Sequence, residues 1–244
     1  MSGKTDCMEE VRLNFGSRNA LVEVLEDFEK RVKALEESRS MPAIKISHPA
    51  FRVFARTSLS SKFSSAWSSQ QDLLLRCVEM LPAREKLRRR VLVERGIGTT
   101  TILSSAALWL TLFGIFKHVL FISRTEGFAK AVLSDIENDL LFGGQRLRSE
   151  LKWFATSRGF LEINDSIISA TGVNCSLRGL SRNIGDVGIR PDAVLVDLCL
   201  FNEDYSSISS VEKIRRTLDH TIHSIGSVGS PASILIATTS AKFL

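Results

Sequence analysis

The stretch Val91–Leu110, VLVERGIGTTTILSSAALWL, holds a short β-like run, two glycines one residue apart, and a long apolar segment of helical length. A strand, a glycine turn and a helix in that order direct backbone N–H groups and a helix N-terminus toward one point in space, which is the geometry that receives an anion. The same letters also describe a plain strand-to-helix turn, so the surrounding chain has to discriminate between them.

With 244 residues, 44% hydrophobic and 24% charged, the chain can bury one substantial core or two small ones. The formal net charge is +5, and residues 84–95 hold six basic against two acidic side chains, so most of the excess lies just ahead of the glycines. The run REKLRRR is read as one face of a helix, suited to phosphate backbone contact or to solvent. Cys7, Cys77, Cys175 and Cys199 are widely separated, with no CxxC pair and no histidine at ligand spacing, which argues against a zinc site or a disulfide framework. The acidic N-terminus MSGKTDCMEE lacks a signal-peptide apolar run and points to the cytoplasm. His220 and His223, three apart without an acidic partner, are read as surface residues.

Apolar positions Leu21, Leu25, Phe28, Val32 and Leu35 predict an amphipathic helix over 17–38, and Pro42 and Pro49 mark a connector after it. A second helix is expected over Ser68–Met80, closed by Pro82. Beyond the glycines, β-like and helical runs alternate. Strands are expected at Val91–Val93, Val119–Ser123, Phe160–Ile163, Ile167–Ala170, Ala193–Asp197 and Ser233–Thr238, and helices at Thr100–Phe116, Thr125–Leu141 and Ser210–His223. This alternation predicts an α/β fold, a mainly parallel sheet with crossover helices on its flanks. An N-terminal helical segment (1–82) would precede the α/β domain (83–244). The span Ile102–Ile122 is apolar enough to suggest a membrane anchor, but Lys117 and His118 interrupt it where a helix-to-strand connection would fall.

In a GxxxxGK[ST] loop, glycines let amides close around phosphates, lysine reaches the β and γ phosphates, and the hydroxyl holds magnesium. Gly96, Gly98 and Thr100 suit three of those tasks, whereas Val93 stands at the first glycine position and Thr99 at the lysine. The partner of such a loop is a strand ending in an acid, and RPDAVLVD supplies Asp197, followed by Leu198 in place of a second carboxylate.

The succession RGIGTTT, ISRTEGFAKAVLSDI, SLRG (Ser176–Gly179), RPDAVLVD (Arg190–Asp197) and SILIATT resembles the ATPase domain of the large terminase subunit of tailed bacteriophages, over about 91–239. The resemblance implies a P-loop NTPase-type sheet in an ATPase-like domain over 83–244, with ATP and Mg²⁺ as cofactors. It implies Gly96, Ile97, Gly98, Thr99, Thr100 and Thr101 as the nucleotide loop, Thr100 and Asp197 as metal residues, and Arg95 and Arg178 as charged groups of the catalytic site. Thr238 or Thr239 would couple hydrolysis to movement. Implied partners are duplex DNA, the small terminase subunit, the portal and procapsid, and further copies of the chain, with no membrane. The chain ends at Leu244, directly after the last of these strands, where the family carries a nuclease domain, so a truncated packaging motor without DNA cleavage is expected.

The departures fall on the chemistry. Threonine at 99 removes a full charge, leaving backbone donors and a helix dipole worth about 0.3–1 kcal/mol. Leucine at 198 removes a positioned base, a loss on the order of 10² to 10⁴ in rate. Arg95, Glu203 and Asp204 are the nearby groups that could compensate. An impaired motor is therefore expected, with a non-catalytic nucleotide- or DNA-binding assembly module as the alternative and a membrane-anchored protein as a third possibility.

Overall fold

The computed structural model describes residues 49–82, 87–157, 159–175, 180–184, 187–198, 214, 216–217, 225–227 and 230–239. The expected helix at 17–38, most of that at 210–223, and Arg178, Glu203, Asp204, His220 and His223 lie outside the described residues.

Two helices precede the sheet: α1 (Phe51–Ser58) and α2 (Ser69–Glu79). The first was not expected from the sequence, which ran as a connector up to Pro49. Its buried Phe51, Phe54, Ala55 and Ser58 recur at helical spacing, and Phe51 meets Trp109 with ring centroids 5.5 Å apart. Helix α2 starts at a capping box, in which the Ser68 hydroxyl accepts from the Gln71 N–H and the Gln71 side chain accepts from the Ser68 N–H. Both helices lie in the same compact unit as the sheet and contribute to its larger core cluster.

The sheet elements follow: β1 (Arg88–Leu92), α3 (Thr99–Leu112), β2 (His118–Ser123), α4 (Glu126–Phe142), α5 (Gln145–Glu150), β3 (Phe154–Ser157), β4 (Phe160–Ile163), β5 (Ser166–Gly172), β6 (Arg182–Ile184), β7 (Val187–Ile189), β8 (Ala193–Leu198), β9 (Gly226–Ser227), β10 (Ser230–Pro231) and β11 (Ser233–Thr238). Seven strands form one sheet in the order β1-β11-β8-β2-β5-β4-β3. The first five are mutually parallel, and β4 and β3 add antiparallel at the far edge. The α/β class with a mainly parallel sheet and flanking helices is thus the observed one. Strands β2, β8 and β11 are buried along their whole length, as expected of parallel strands covered on both faces.

Alternation splits the core in two. Ala193 and Leu195 of β8 pack with α1–α4 in the larger cluster, whereas Val194, Val196 and Leu198 belong to a second cluster with Ile122 and Ile236 on the opposite face. Helix α3 is the center of the larger cluster, burying twelve of its fourteen residues. A helix apolar on all sides is a core helix, and it explains the membrane-like letters: α3 stops at Leu112, Gly114 takes φ +62°, and β2 begins at His118. Among the described residues no helix is long and apolar enough to cross a membrane.

The basic run requires a correction. Arg88, Arg89 and Arg90 lie in edge strand β1, not on a helix, paired residue for residue with Ile234, Leu235 and Ile236. Leu87, Val91 and Val93 are buried and share one parity, on which Arg89 is exposed; an edge strand tolerates such a charge because one side faces water. The expected helix Thr100–Phe116 is also shorter, at Thr99–Leu112.

Lys62, in the turn after α1, ties that layer to α4 through Asp135 and Asp139, each 2.7 Å from its Nζ. Burial pulls the Lys62 ammonium down, but the two carboxylates outweigh it and its pKa is raised. Burial, with the charge of Asp135, raises the Asp139 pKa against the opposing pull of Lys62. At the β4–β5 turn Asn164 and Asp165 both take positive φ, as a two-residue hairpin requires. The Asn164 amide donates to the carbonyls of Leu112 and Glu150, closing the ends of α3 and α5.

Candidate functional site

All five parallel strands run toward one edge of the sheet, the edge at which α/β sheets bind ligands. In register, Leu92 of β1 stands beside Thr238 of β11, which stands beside Leu198 of β8, and Ala237 stands beside Asp197. The chain then continues from Val93, whose N–H donates to the Thr238 carbonyl, into the glycine turn.

In the turn Gly96 has φ +84° and Gly98 has φ +79°, the left-handed region in which a side chain is strained. A Cβ built on either glycine meets no atom within 4 Å, so the space over the turn is open. Gly98 is the N-cap of α3, with no side chain to occupy the first free N–H groups. Thr99, the residue read from the sequence as standing at the lysine position, is only 4% exposed, so a neutral side chain is buried at the start of α3. Thr100 is exposed, and its hydroxyl donates to Oδ2 of Asp197 at 2.5 Å, across 97 residues of sequence. Asp197 is 4% exposed and lies on the face of β8 covered by α3, because it alternates with Val196 and Leu198. Leu198, fully buried, turns into the opposite core, on the other face of the sheet from Asp197.

Arg95 is exposed at the entry to the turn. Ile97 and Thr101 border the same pocket as Gly98. Thr238 is fully buried at the end of β11 and Thr239 half-buried beyond it, one strand from Asp197. The structure therefore brings Gly96, Gly98, Thr99, Thr100, Asp197 and Thr238 to one edge.

The start of α2 fixes this turn in a way the sequence did not disclose. Gln70 Oε1 accepts from the Glu94 N–H at 2.6 Å, and Gln71 Nε2 donates to the Ile97 carbonyl at 2.8 Å. Two adjacent glutamines thus hold both shoulders of the glycine turn. Beside them is a pocket of about 110 Å³ lined by Lys62, Phe63, Trp67, Gln71, Gly98 and Thr101 among others. The Trp67 indole N–H is buried without a hydrogen-bond partner among the described residues, and Arg56 stacks on its ring at 4.4 Å. The pair Gln70-Gln71 behind Trp67 was the available signal, but amides at a helix start are too common to single out.

Hard oxygen donors from Thr100 and Asp197 suit Mg²⁺, and open glycines before a helix N-terminus suit phosphate. The residues present therefore fit a magnesium–nucleotide complex in which the charge normally given by lysine comes from elsewhere or is missing.

No family model matches the sequence, and no curated protein does. Four solved chains are similar in structure. One is the large terminase of bacteriophage HK97, with 13% sequence identity and a TM-score of 0.43; the likeness covers 72% of this chain and 34% of that one, so this chain spans about a third of the terminase's length.

Proposed function

We propose that the chain is a terminase-type ATPase domain that keeps the nucleotide cradle and has lost the charges that drive rapid turnover. The observation that carries this reading is the Thr100–Asp197 hydrogen bond, which joins the helix after the glycine turn to the end of a central strand. Its support from sequence is the ordered set of motifs over 91–239.

In this reading the amides from Gly96 to Thr101 hold the phosphates, Thr100 and Asp197 hold the metal, and the Trp67 pocket takes the base. Bound Mg·ATP would supply the transferable phosphoryl group and neutralise its developing charge. The buried Leu198 gives no base to orient water, so hydrolysis is slower by on the order of 10² to 10⁴ than with a positioned carboxylate. Thr238 or Thr239 would sense the metal site through Asp197 and pass its state to the rest of the sheet. Arg178 keeps the role that the resemblance implies. Duplex DNA, a small terminase subunit and a portal-bearing procapsid are the partners on this reading.

A second reading, a binding module without turnover, is favoured by the burial of both Thr99 and Leu198, since neither position can present a catalytic group without rearrangement.

Titration of the full chain with ATP, with and without Mg²⁺, followed by tryptophan fluorescence, tests the proposal. Saturable, magnesium-dependent binding that is lost in Asp197→Asn and Thr100→Val supports it. Absence of binding at millimolar ATP in the unaltered chain refutes it. Phosphate release from Thr99→Lys but not from the unaltered chain identifies an impaired motor, and silence in both, with binding intact, identifies the module.

A further inference from the structure

We infer that Gln71 is a positioning residue for the phosphates: by holding the Ile97 carbonyl toward α2, it keeps the Gly98 N–H pointing away from α2 as a donor. This rests on the nucleotide reading above and places control of the glycine turn in a side chain 26 residues from Ile97 in sequence.

A peptide unit is planar and trans, so its C=O and N–H point in opposite directions. Gln71 Nε2 donates to the Ile97 carbonyl at 2.8 Å, which draws that oxygen to α2 and sends the N–H of the same unit, that of Gly98, the other way. The residues of the turn do not fix this choice. Turning the unit over changes ψ of Ile97 and φ of Gly98 together, and glycine admits φ of either sign. Nor do neighbouring atoms crowd Gly98, since a Cβ there meets nothing within 4 Å. In the turned-over state a carbonyl oxygen replaces the N–H that faces the phosphates, and two acceptors repel. The Gln71 bond selects the donor-out state, in which the Gly98 N–H joins the first N–H groups of α3. Gln71, Ile97 and Gly98 all border the pocket beside the turn, so the selection is made at the edge of the open space.

Gln71 is itself held in one orientation. Its Oε1 accepts from the Ser68 N–H at 2.8 Å, and its backbone N–H donates to the Ser68 hydroxyl at 3.2 Å, the capping box of α2. With the amide oxygen committed to Ser68, nitrogen is what faces Ile97. Gln70 has the opposite polarity, its Oε1 accepting from the Glu94 N–H at 2.6 Å. A carboxylate can therefore replace the amide at 70 and keep its bond, but at 71 it keeps the capping box and loses the bond to the turn.

The test titrates the full chain with Mg·ATP and with Mg·tripolyphosphate, which carries the phosphates without the base. Gln71→Glu is expected to weaken both by roughly tenfold with the helix signal in circular dichroism kept, because the capping box survives while an oxygen now opposes the Ile97 carbonyl. Gln71→Met, neutral and without a donor, weakens both as well, which separates the lost bond from the added charge. Gln70→Glu carries the same charge with its bond kept and loses less than Gln71→Glu. Thermal melts check that each variant folds, and Gln71→Met stands in for Gln71→Glu if that one does not. Binding of both ligands unchanged in the Gln71 variants overturns the inference while the nucleotide reading stands. So does a loss confined to ATP, which makes Gln71 a base contact, and so does an equal loss in Gln70→Glu, which reduces the effect to charge. An unaltered chain that binds neither ligand overturns both.

Discussion

Substituting Gly98 by alanine separates a phosphate cradle from an ordinary turn. Gly98 has φ +79° and ψ 30°, and an added Cβ meets nothing within 4 Å. The cost to the fold is therefore backbone strain alone, about 1–2 kcal/mol for an L-residue held in the left-handed region. At about 2–4 °C per kcal/mol for a domain of this size, the melting temperature should fall by roughly 2–8 °C. The methyl group also enters the open space over the turn, where phosphate oxygens would approach the amides. Nucleotide affinity should then fall beyond what the loss of stability explains, by tenfold or more if one charge-assisted amide contact is lost. Melting curves and ATP titrations on the same preparations give both quantities. A melting temperature within 1 °C of the parent refutes the left-handed cap, and a lower one with unchanged ATP affinity shows that the glycines only turn the chain.

Gly172→Ala should be more damaging to the fold than Gly98→Ala, because its Cβ would meet backbone atoms of Thr125 and Glu126 at 2.6–3.2 Å, and neither strand end nor helix start can yield cheaply; urea denaturation of the two variants side by side checks the order. His118 predicts a pH dependence of stability. Its ring is buried, with Nε2 2.6 Å from the Ser169 hydroxyl and Nδ1 3.2 Å from the Ile189 carbonyl, and burial, opposed by the Ile189 bond and aided by Arg182, lowers its pKa to about 4. The unfolded chain takes up the proton first, near pH 6.5, so stability is full above that pH and declines between pH 6.5 and about 4, by on the order of 3 kcal/mol in total. Asp192, raised by burial against four backbone hydrogen bonds, acts with the opposite sign, adding stability as pH falls through its raised pKa. Urea midpoints at pH 7, 6 and 5 test this, and a His118→Phe variant with the same slope between pH 6.5 and 5 would refute it.

Much of the architecture can be read from local pattern. The fully apolar runs of β2, β8 and β11 and the glycine-bounded α3 declare themselves because their periodicity depends on burial, which these elements share along their length. Strands at Phe160–Ile163 and Ser233–Thr238 fall at the expected residues. Arg88–Arg90 did not, because a charged run becomes a strand only through its pairing with β11, which lies about 145 residues away in sequence. Short elements such as α1 and β3 carry too few residues for a period to stand out.

For the candidate site the division is similar. The sequence by itself determined which chemical groups exist: two glycines, a hydroxyl after them, an acid at a strand end, and neutral residues at 99 and 198. Only the tertiary structure decided which of them meet. Strand order puts β8 within reach of α3, so Thr100 finds Asp197; alternation turns Leu198 to the opposite core; and α2 returns Gln70 and Gln71 to the shoulders of the turn. The physical reason is range: backbone propensity and hydrophobic period act over a few residues, whereas a site at the carboxyl edge of a parallel sheet is assembled by crossover connections that bring together segments tens of residues apart.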